Sequence, residues 1–537
     1  MNNTISLLDC TLRDGAYITN GNFGEPAIRG ILNKMMDAGV EIIECGWLKN
    51  DPYRKGTTFY HVPEDLERYL PRKGENRTYV AMIDWDRYDL SNLPSCSGKS
   101  IDAIRVVFPH GRHNEAIAVG QKIREKGYQV YFQAANTLGY SDDELAELAD
   151  EMNEEEPVSL SIVDTFGAMY PEDLERIVHI LHERLKPSIK LGFHSHNNQQ
   201  LSFALTIDFI QRLRDSGRSI VVDASLCGMG RGAGNATTEL VASYMNKKRQ
   251  CHYDLDAIMD AIDIYMEYFK ENYQWGYSTP NFIAGLYGCH VNNIAYLLKN
   301  HRTNAKDMRN IIASLPLEDR TKYDYDLLEQ VYLQNQNLYV DDGEAVKQLS
   351  EILRDRKVML ITPGKSSQLE QGRIRERIQQ EKPVVIGVNA VLPGYEYEYL
   401  FFVNPARYEY AKDAYPQQFH KTQHIVLSSV KNVPEGDELI IGFNRVIKRG
   451  WEYYDNAAIC ALRLMELLKV EQVVVAGFDY FQTRYNESYA DLFLPSLNPE
   501  DRWNELNSEI AEMLSDFRRN AVHCRKIEFI TPSGFGS

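Results

Sequence analysis

The sequence contains no apolar run approaching the roughly 18 residues a membrane span requires, and no CxxC pair among its eight cysteines. The first absence argues against a spanning helix. The second removes the zinc-finger and redox-motif readings. Cys10, Cys45, Cys96, Cys227, Cys251, Cys289, Cys460 and Cys524 are scattered through 537 residues and read as reduced, buried thiols of a cytoplasmic protein. The opening stretch, MNNTISLLDCTLRDG, enters a strand pattern at once, without the basic segment and apolar core of a signal peptide. Positive charge is scarce as well: a formal net charge of −17 disfavours nucleic acid and anionic membrane as partners, although a local basic site could still hold a phosphate. Low-complexity linkers are absent. At 537 residues the chain exceeds one ordinary core, so two or three domains are expected.

What is present is regular alternation. Strand-like runs at 4–11, 40–46, 78–84, 103–109, 128–136, 159–165, 189–197 and 219–226 are mostly followed by amphipathic stretches such as EPAIRGILNKMMDAG and PEDLERIVHILHERL. This repetition predicts a TIM-type (β/α)8 barrel over residues 1–250. A doubly wound open sheet is the alternative, and the missing Gly-rich phosphate loop after the first strand argues against it. From 251 to 342 the pattern turns helical, a helical extension. From 343 to 537 strands return, as in KVMLITPG, KPVVIGVNAV and QVVVAGFDYF, interleaved with helices, which predicts a Rossmann-like α/β domain.

The chemistry-bearing residues gather at strand ends. In GFHSHN (192–197), His194 and His196 stand two apart on the seventh predicted strand and so share a face. Such a pair either holds one metal ion or packs as two ordinary histidines. A metal would also need an acid, and DCTLRDG at the end of the first strand delivers Arg13 and Asp14 to the same rim, where barrel chemistry collects. One carboxylate and two imidazoles suit Mn²⁺ or Mg²⁺, with Zn²⁺, Fe²⁺ or Co²⁺ as alternatives. Glu44 ends the second strand and reads as a carboxylate behind such a site rather than a ligand. CGMGRGAGN after the eighth strand could present backbone N–H groups to an anion.

LLDCTLRDG, VDTFGAM, GFHSHNN and VDASLCGMGRGAGNATTE, in this order, resemble the DRE-TIM metallolyase superfamily, and within it the 4-hydroxy-2-oxovalerate aldolases. WGYSTPNFIAGLYGCHVNNIAYLL is similar to the helical extension of those aldolases, so the resemblance covers about residues 4–335. It implies Asp14, His194 and His196 as metal ligands and Arg13 as the group that polarises the substrate and stabilises an enolate. It also implies Thr165 as a hydroxyl for the substrate carboxylate, although the same residue reads as a cap before the next helix. By the same likeness Asn235 could approach the metal. The implied reaction cleaves or forms a C–C bond next to a 2-keto acid, giving pyruvate and an aldehyde or sugar from a 4-hydroxy-2-oxoacid, in a homo-oligomer and with a place in surface-glycan synthesis.

One departure stands out. The aldolases carry a histidine as general base where this chain has Tyr17, and a phenol near pKa 10 is a poor base at neutral pH unless strongly depressed. His110, after the fourth strand, and Tyr277, in the extension, are the other candidates for proton transfer or substrate contact. In the second domain, LITPGKSSQ places a Gly-containing turn between strand and helix, a candidate phosphate cradle. Residues 345–500 loosely resemble bacterial sialyltransferases and flagellin-modifying glycosyltransferase-like proteins, which implies a nucleotide or nucleotide-sugar near Asn389 and Asn404. The alternative is an assembly module. Two rival functions remain: a Claisen-type acyl-CoA condensing synthase, disfavoured by HNNQQL and GRGAGN, and a glycan-pathway transferase or binding protein with an inactive barrel.

Overall fold

The computed structural model of the chain describes residues 4–71, 77–301, 303–336, 340–430, 433, 438–482, 488–496 and 502–535. The chain forms two compact units, Met1–Ile294 with Leu317–Tyr323, and Ala295–Pro316 with Asp324–Ser537. The helices after residue 250 are therefore shared out: Leu255–Ala261, Glu267–Asn272 and Thr279–Leu286 go with the first unit, Ala305–Ser314 and Tyr325–Gln336 with the second. Among the described residues all eight cysteines are free thiols, and no helix is long and apolar enough to cross a membrane.

The first unit is a TIM barrel. Its strands are β1 (Ile5–Asp9), β2 (Ile42–Leu48), β3 (Thr78–Asp84), β4 (Ala103–Phe108), β5 (Gln129–Ala134), β6 (Ser159–Asp164), β7 (Lys190–Ser195) and β8 (Ile220–Ala224). Each pairs in parallel with its neighbours, and β1 closes the ring by pairing with both β2 and β8: Leu8 lies opposite Ile42 on one side and Asp223 on the other. A short strand, Phe59–Tyr60, adds to the rim of β2.

Alternation along these strands sorts side chains into two environments. Leu7, Ile43, Ala81, Ile104, Phe132 and Val222 point outward into the large core shared with the surrounding helices. Their neighbours Leu8, Ile42, Val80, Ala103, Tyr131 and Val221 form a separate apolar floor inside the ring. Two residues further along, the inward positions turn polar. Glu44, Arg105, Gln133, Ser161, His194 and Asp223 are all buried there. The barrel thus carries its charge toward the C-terminal ends of its strands.

The second unit is built on an open, wholly parallel sheet of seven strands: β9 (Val358–Ile361), β10 (Val384–Val388), β11 (Tyr399–Phe402), β12 (Gln423–Leu427), β13 (Leu439–Ile441), β14 (Gln472–Ala476) and β15 (Lys526–Phe529). Its order is β13-β12-β11-β10-β9-β14-β15, so the chain reverses direction of travel between β9 and β14. The strands read as continuous apolar runs because both faces are covered. Val358, Leu360, Ile386, Phe401 and Val475 enter one core, while Met359, Ile361, Val385 and Val474 enter another.

Candidate metal centre

The turn after β1 is a single helical turn, Thr11–Asp14, fully buried, with the Asp14 N–H donating to the Cys10 carbonyl. This turn points Arg13 and Asp14 into the barrel mouth. His194 lies on the last turn of β7, and His196 just beyond it is held by a bridge to Asn235 in the loop after β8. Asp14, His194 and His196 each offer a ligand atom, and these atoms lie within 4.8 Å of one another. His194 Nε2 is 3.8 Å from Asp14 Oδ2.

Distant residues set the orientation of this group. His194 Nδ1 lies 3.0 Å from Asp223 Oδ2, an oxygen that also accepts from Arg105 Nη2. The pairing assigns the Nδ1 proton to Asp223 and leaves Nε2 bare on the side of Asp14. Arg105 Nη1 donates to Glu44 Oε2 at 2.9 Å, and Arg13 Nε donates to the same oxygen at 2.8 Å. Arg13 Nη1 donates to Asp14 Oδ1 at 2.9 Å, while its Nη2 makes no hydrogen bond among the described residues. Asn235 Nδ2 donates to Asp14 Oδ2. Gly230 must be glycine here, because a Cβ would lie 2.8 Å from Asp14 Oδ2 and closer still to Asn235.

Electrostatics decide what the cluster can hold. Burial alone would raise the Asp14 carboxyl, but Arg13, His196, His194 and the Asn235 amide outweigh it and hold the group at about 2. Burial pushes His196 down to about 4, leaving a neutral imidazole at physiological pH. Two guanidiniums, Arg13 and Arg105, face three carboxylates, Asp14, Glu44 and Asp223, so one buried negative charge is left over. His196 Nδ1, Asn235 Oδ1 and Glu44 Oε1 are buried without hydrogen-bond partners. Buried charge and buried lone pairs are costly unless matched. An ionised carboxylate, a neutral imidazole, a bare Nε2 and a surplus negative charge are what a divalent cation requires, so these residues fit one.

Tyr17 follows directly, on the next short helix. Its ring meets Trp47 edge-on at 5.8 Å, and the Arg231 guanidinium lies 4.9 Å from its centroid. The residue as a whole is half exposed. Burial of its phenol oxygen nevertheless pushes the group up to about 12, with Arg231 and Arg13 pulling only partly the other way. Arg231 in turn reaches His290 Nε2 at 2.8 Å, and burial with the adjacent guanidinium pushes His290 down to about 3.

The other sequence candidates make contacts of their own. His110 is on an exposed loop, 3.0 Å from Glu144 and packed on Tyr140. Thr165 Oγ1 accepts from the Asn136 N–H at 2.6 Å, which ties two loops together and leaves only its hydroxyl proton to donate. Tyr277, 63% exposed, precedes the helix Thr279–Leu286 and makes none of the contacts described above. Sequence reasoning missed four residues that the structure brings in. Arg105 sits in the strand AIRVVFP, and an inward arginine on a barrel strand was a usable signal. Asp223 lies in VDASLC, Arg231 in a stretch read only for its backbone, and His290 farther along the helical extension than Tyr277. A second group, His113, Glu147 and Glu151, lies on the helices His113–Glu125 and Asp142–Glu155, where Glu147 is exposed.

Residues 112–264 match the HMGL-like family model. The match begins at the helix after β4 and runs beyond β8. The chain is 28% identical over 267 residues to an oxaloacetate decarboxylase of Mycobacterium tuberculosis, covering 48% of this chain and 74% of that protein. It is 29% identical over 242 residues to a 4-hydroxy-2-oxovalerate aldolase of Thermomicrobium roseum, covering 44% and 66% respectively. An HMG-CoA lyase structure from Brucella melitensis superposes with a TM-score of 0.40 at 15% identity, over 50% of this chain and 100% of that one.

Proposed function

We propose that the HMGL-like barrel is a divalent-metal-dependent lyase that makes or breaks a C–C bond beside the carbonyl of a 2-keto acid. The observation that carries this reading is the buried Asp14–His194–His196 group with its surplus negative charge and the free Arg13 Nη2 beside it. A divalent cation bound there, Mn²⁺ or Mg²⁺ by the oxygen and imidazole donor set, supplies Lewis acidity to the keto and carboxylate oxygens of such an acid. Asp223 holds His194 in the tautomer that leaves Nε2 free. Glu44 and Asp14 fix the Arg13 guanidinium, so its remaining N–H edge adds positive charge where an enolate oxygen develops. The Arg13 guanidinium lies 5.9 Å from the ring centroid of Trp47.

Tyr17 has a specific part in the argument. At about 12 its oxygen keeps its proton at neutral pH, so it serves as a donor to the carbanion carbon rather than as the base for a 4-hydroxyl. Aldol cleavage needs such a base. Decarboxylation of a 2-keto diacid does not, and that favours a second reading, in which the same enolate forms by loss of carbon dioxide. Incubating the metal-loaded full chain with 4-hydroxy-2-keto acids and with oxaloacetate, and measuring pyruvate release above the metal-only rate, separates the two. The Tyr17→Phe variant should retain metal and lose about 10–100-fold in turnover on whichever substrate reacts. No pyruvate from any of these substrates would overturn the proposal.

A further inference from the structure

The second unit holds a cleft with a buried guanidinium that forms no ion pair among the described residues. It opens at the C-terminal ends of β9, β10, β11 and β14, astride the point where strand order reverses, the position where open parallel sheets present room for a ligand. The cleft is open to solvent and is lined by residues from all four strand ends. Two loops approach closely at its base. Gly477 adopts φ +77°, and a Cβ there would meet the Thr362 carbonyl at 2.3 Å.

Arg407 lines this cleft from the first turn of the helix Pro405–Ala414. It is only 5% exposed, and its Nη1 is buried without a hydrogen-bond partner. Among the described residues it forms no ion pair; its guanidinium lies 4.8 Å from the ring centroid of Tyr489. A buried guanidinium without an anion is costly.

Three asparagines line the same cleft, and each has its oxygen already committed. Asn389 Oδ1 accepts from the Val403 N–H, Asn404 Oδ1 from Ala406 and Arg407, and Asn456 Oδ1 from Ile459. These bonds fix the amide orientation, which leaves the three Nδ2 groups as donors without hydrogen-bond partners among the described residues. Two carboxylates also line the cleft, Asp455 and Asp479, the latter held by the N–H and hydroxyl of Ser366. Val388, Val403, Phe478 and Phe481 supply apolar wall.

We propose that this cleft binds an organic phosphate, its phosphoryl oxygens on Arg407 and the asparagine amides and its organic part against the apolar wall. A guanidinium with several neutral amide donors suits an acceptor-rich tetrahedral anion, and the adjoining apolar wall suits an organic group carried on it.

Isothermal titration of the full chain with glucose 6-phosphate, uridine diphosphate, inorganic phosphate and gluconate tests this. At least one ester should bind below about 1 mM and at least tenfold more tightly than inorganic phosphate or gluconate. Arg407→Gln should weaken it by tenfold or more. Asn389→Asp keeps the acceptor for Val403, tolerates the left-handed backbone at φ 58° and replaces the amide donor by a charge, so it should weaken binding comparably in a folded protein. No ester binding, equal binding of gluconate or of inorganic phosphate, or unchanged affinity in Asn389→Asp would each overturn the proposal.

Discussion

The two units treat buried charge in opposite ways. In the barrel mouth Arg13 and Arg105 are both ion-paired, and these two guanidiniums face the three carboxylates of Asp14, Glu44 and Asp223. In the second unit the Arg407 guanidinium lies buried with no ion-pair partner among the described residues. One site gathers carboxylates in excess of its paired guanidiniums, and the other leaves a buried guanidinium without an ion pair. Both lie at the C-terminal ends of parallel strands, so topology sets the place while the sign of the unmatched charge sets the ligand class.

The largest effect expected from this contrast is loss of the barrel's cation. Wild-type protein should carry about one divalent ion per chain. Asp14→Asn and His194→Ala should lose it, with turnover falling about 10³-fold or more. The Arg407→Gln chain should keep its metal. Full metal occupancy by elemental analysis in both barrel variants would break the comparison at its stronger end.

A sharper distinction comes from Arg13, whose charge matters for chemistry rather than for holding the ion. The metal-loaded chain should exchange the methyl hydrogens of pyruvate with solvent deuterium. Arg13→Gln should slow this roughly 10²–10³-fold at unchanged metal content. Exchange that depended on added acetyl-CoA would point instead to the condensing-synthase rival.

The smallest effect is on stability. Burial raises the Asp164 carboxyl to about 7, against bonds from the Ala168 and Met169 N–H groups, and raises Asp9 to about 6. A carboxyl whose folded pKa lies above its unfolded value near 3.9 binds more protons folded than unfolded between the two values. Its contribution is therefore complete below about pH 4 and lost as pH rises through the folded pKa. Thermal unfolding should show a Tm lower at pH 7 than at pH 5 by about 5 °C, and Asp164→Asn should flatten that slope. An unchanged slope in the variant would remove Asp164 from the account. The Asp14 carboxyl acts in the other direction and in a separate window, stabilising above about pH 4 and losing that contribution as pH falls toward 2.

Much of the barrel was legible in the chain itself. Strand and helix periods are local, so eight βα repeats and the inward alternation of residues such as Ile42 and Glu44 can be counted without knowing what each touches. The HxH spacing is local too: two residues on one strand must share a face. Arg13 and Asp14 were readable as strand-end residues, although their helical turn was not. Glu44 was readable as an inward residue by the same alternation, although it stands within the strand Ile42–Leu48 rather than at its end.

What remained hidden depended on closure. Arg105 meets Asp223 across 118 positions of sequence, and nothing local says which buried acid an inward arginine will find. His290 and Arg231 meet only because the helices after the barrel fold back on its loops, so the sequence offered Tyr277 with equal warrant. Tyr17 was visible, but whether its phenol is held protonated or made basic depends on the groups that surround it. Arg407 reads as one more surface cation on a helix. Only the fold buries it without a partner, because the loops from four strands must converge before there is any interior for it to be buried in.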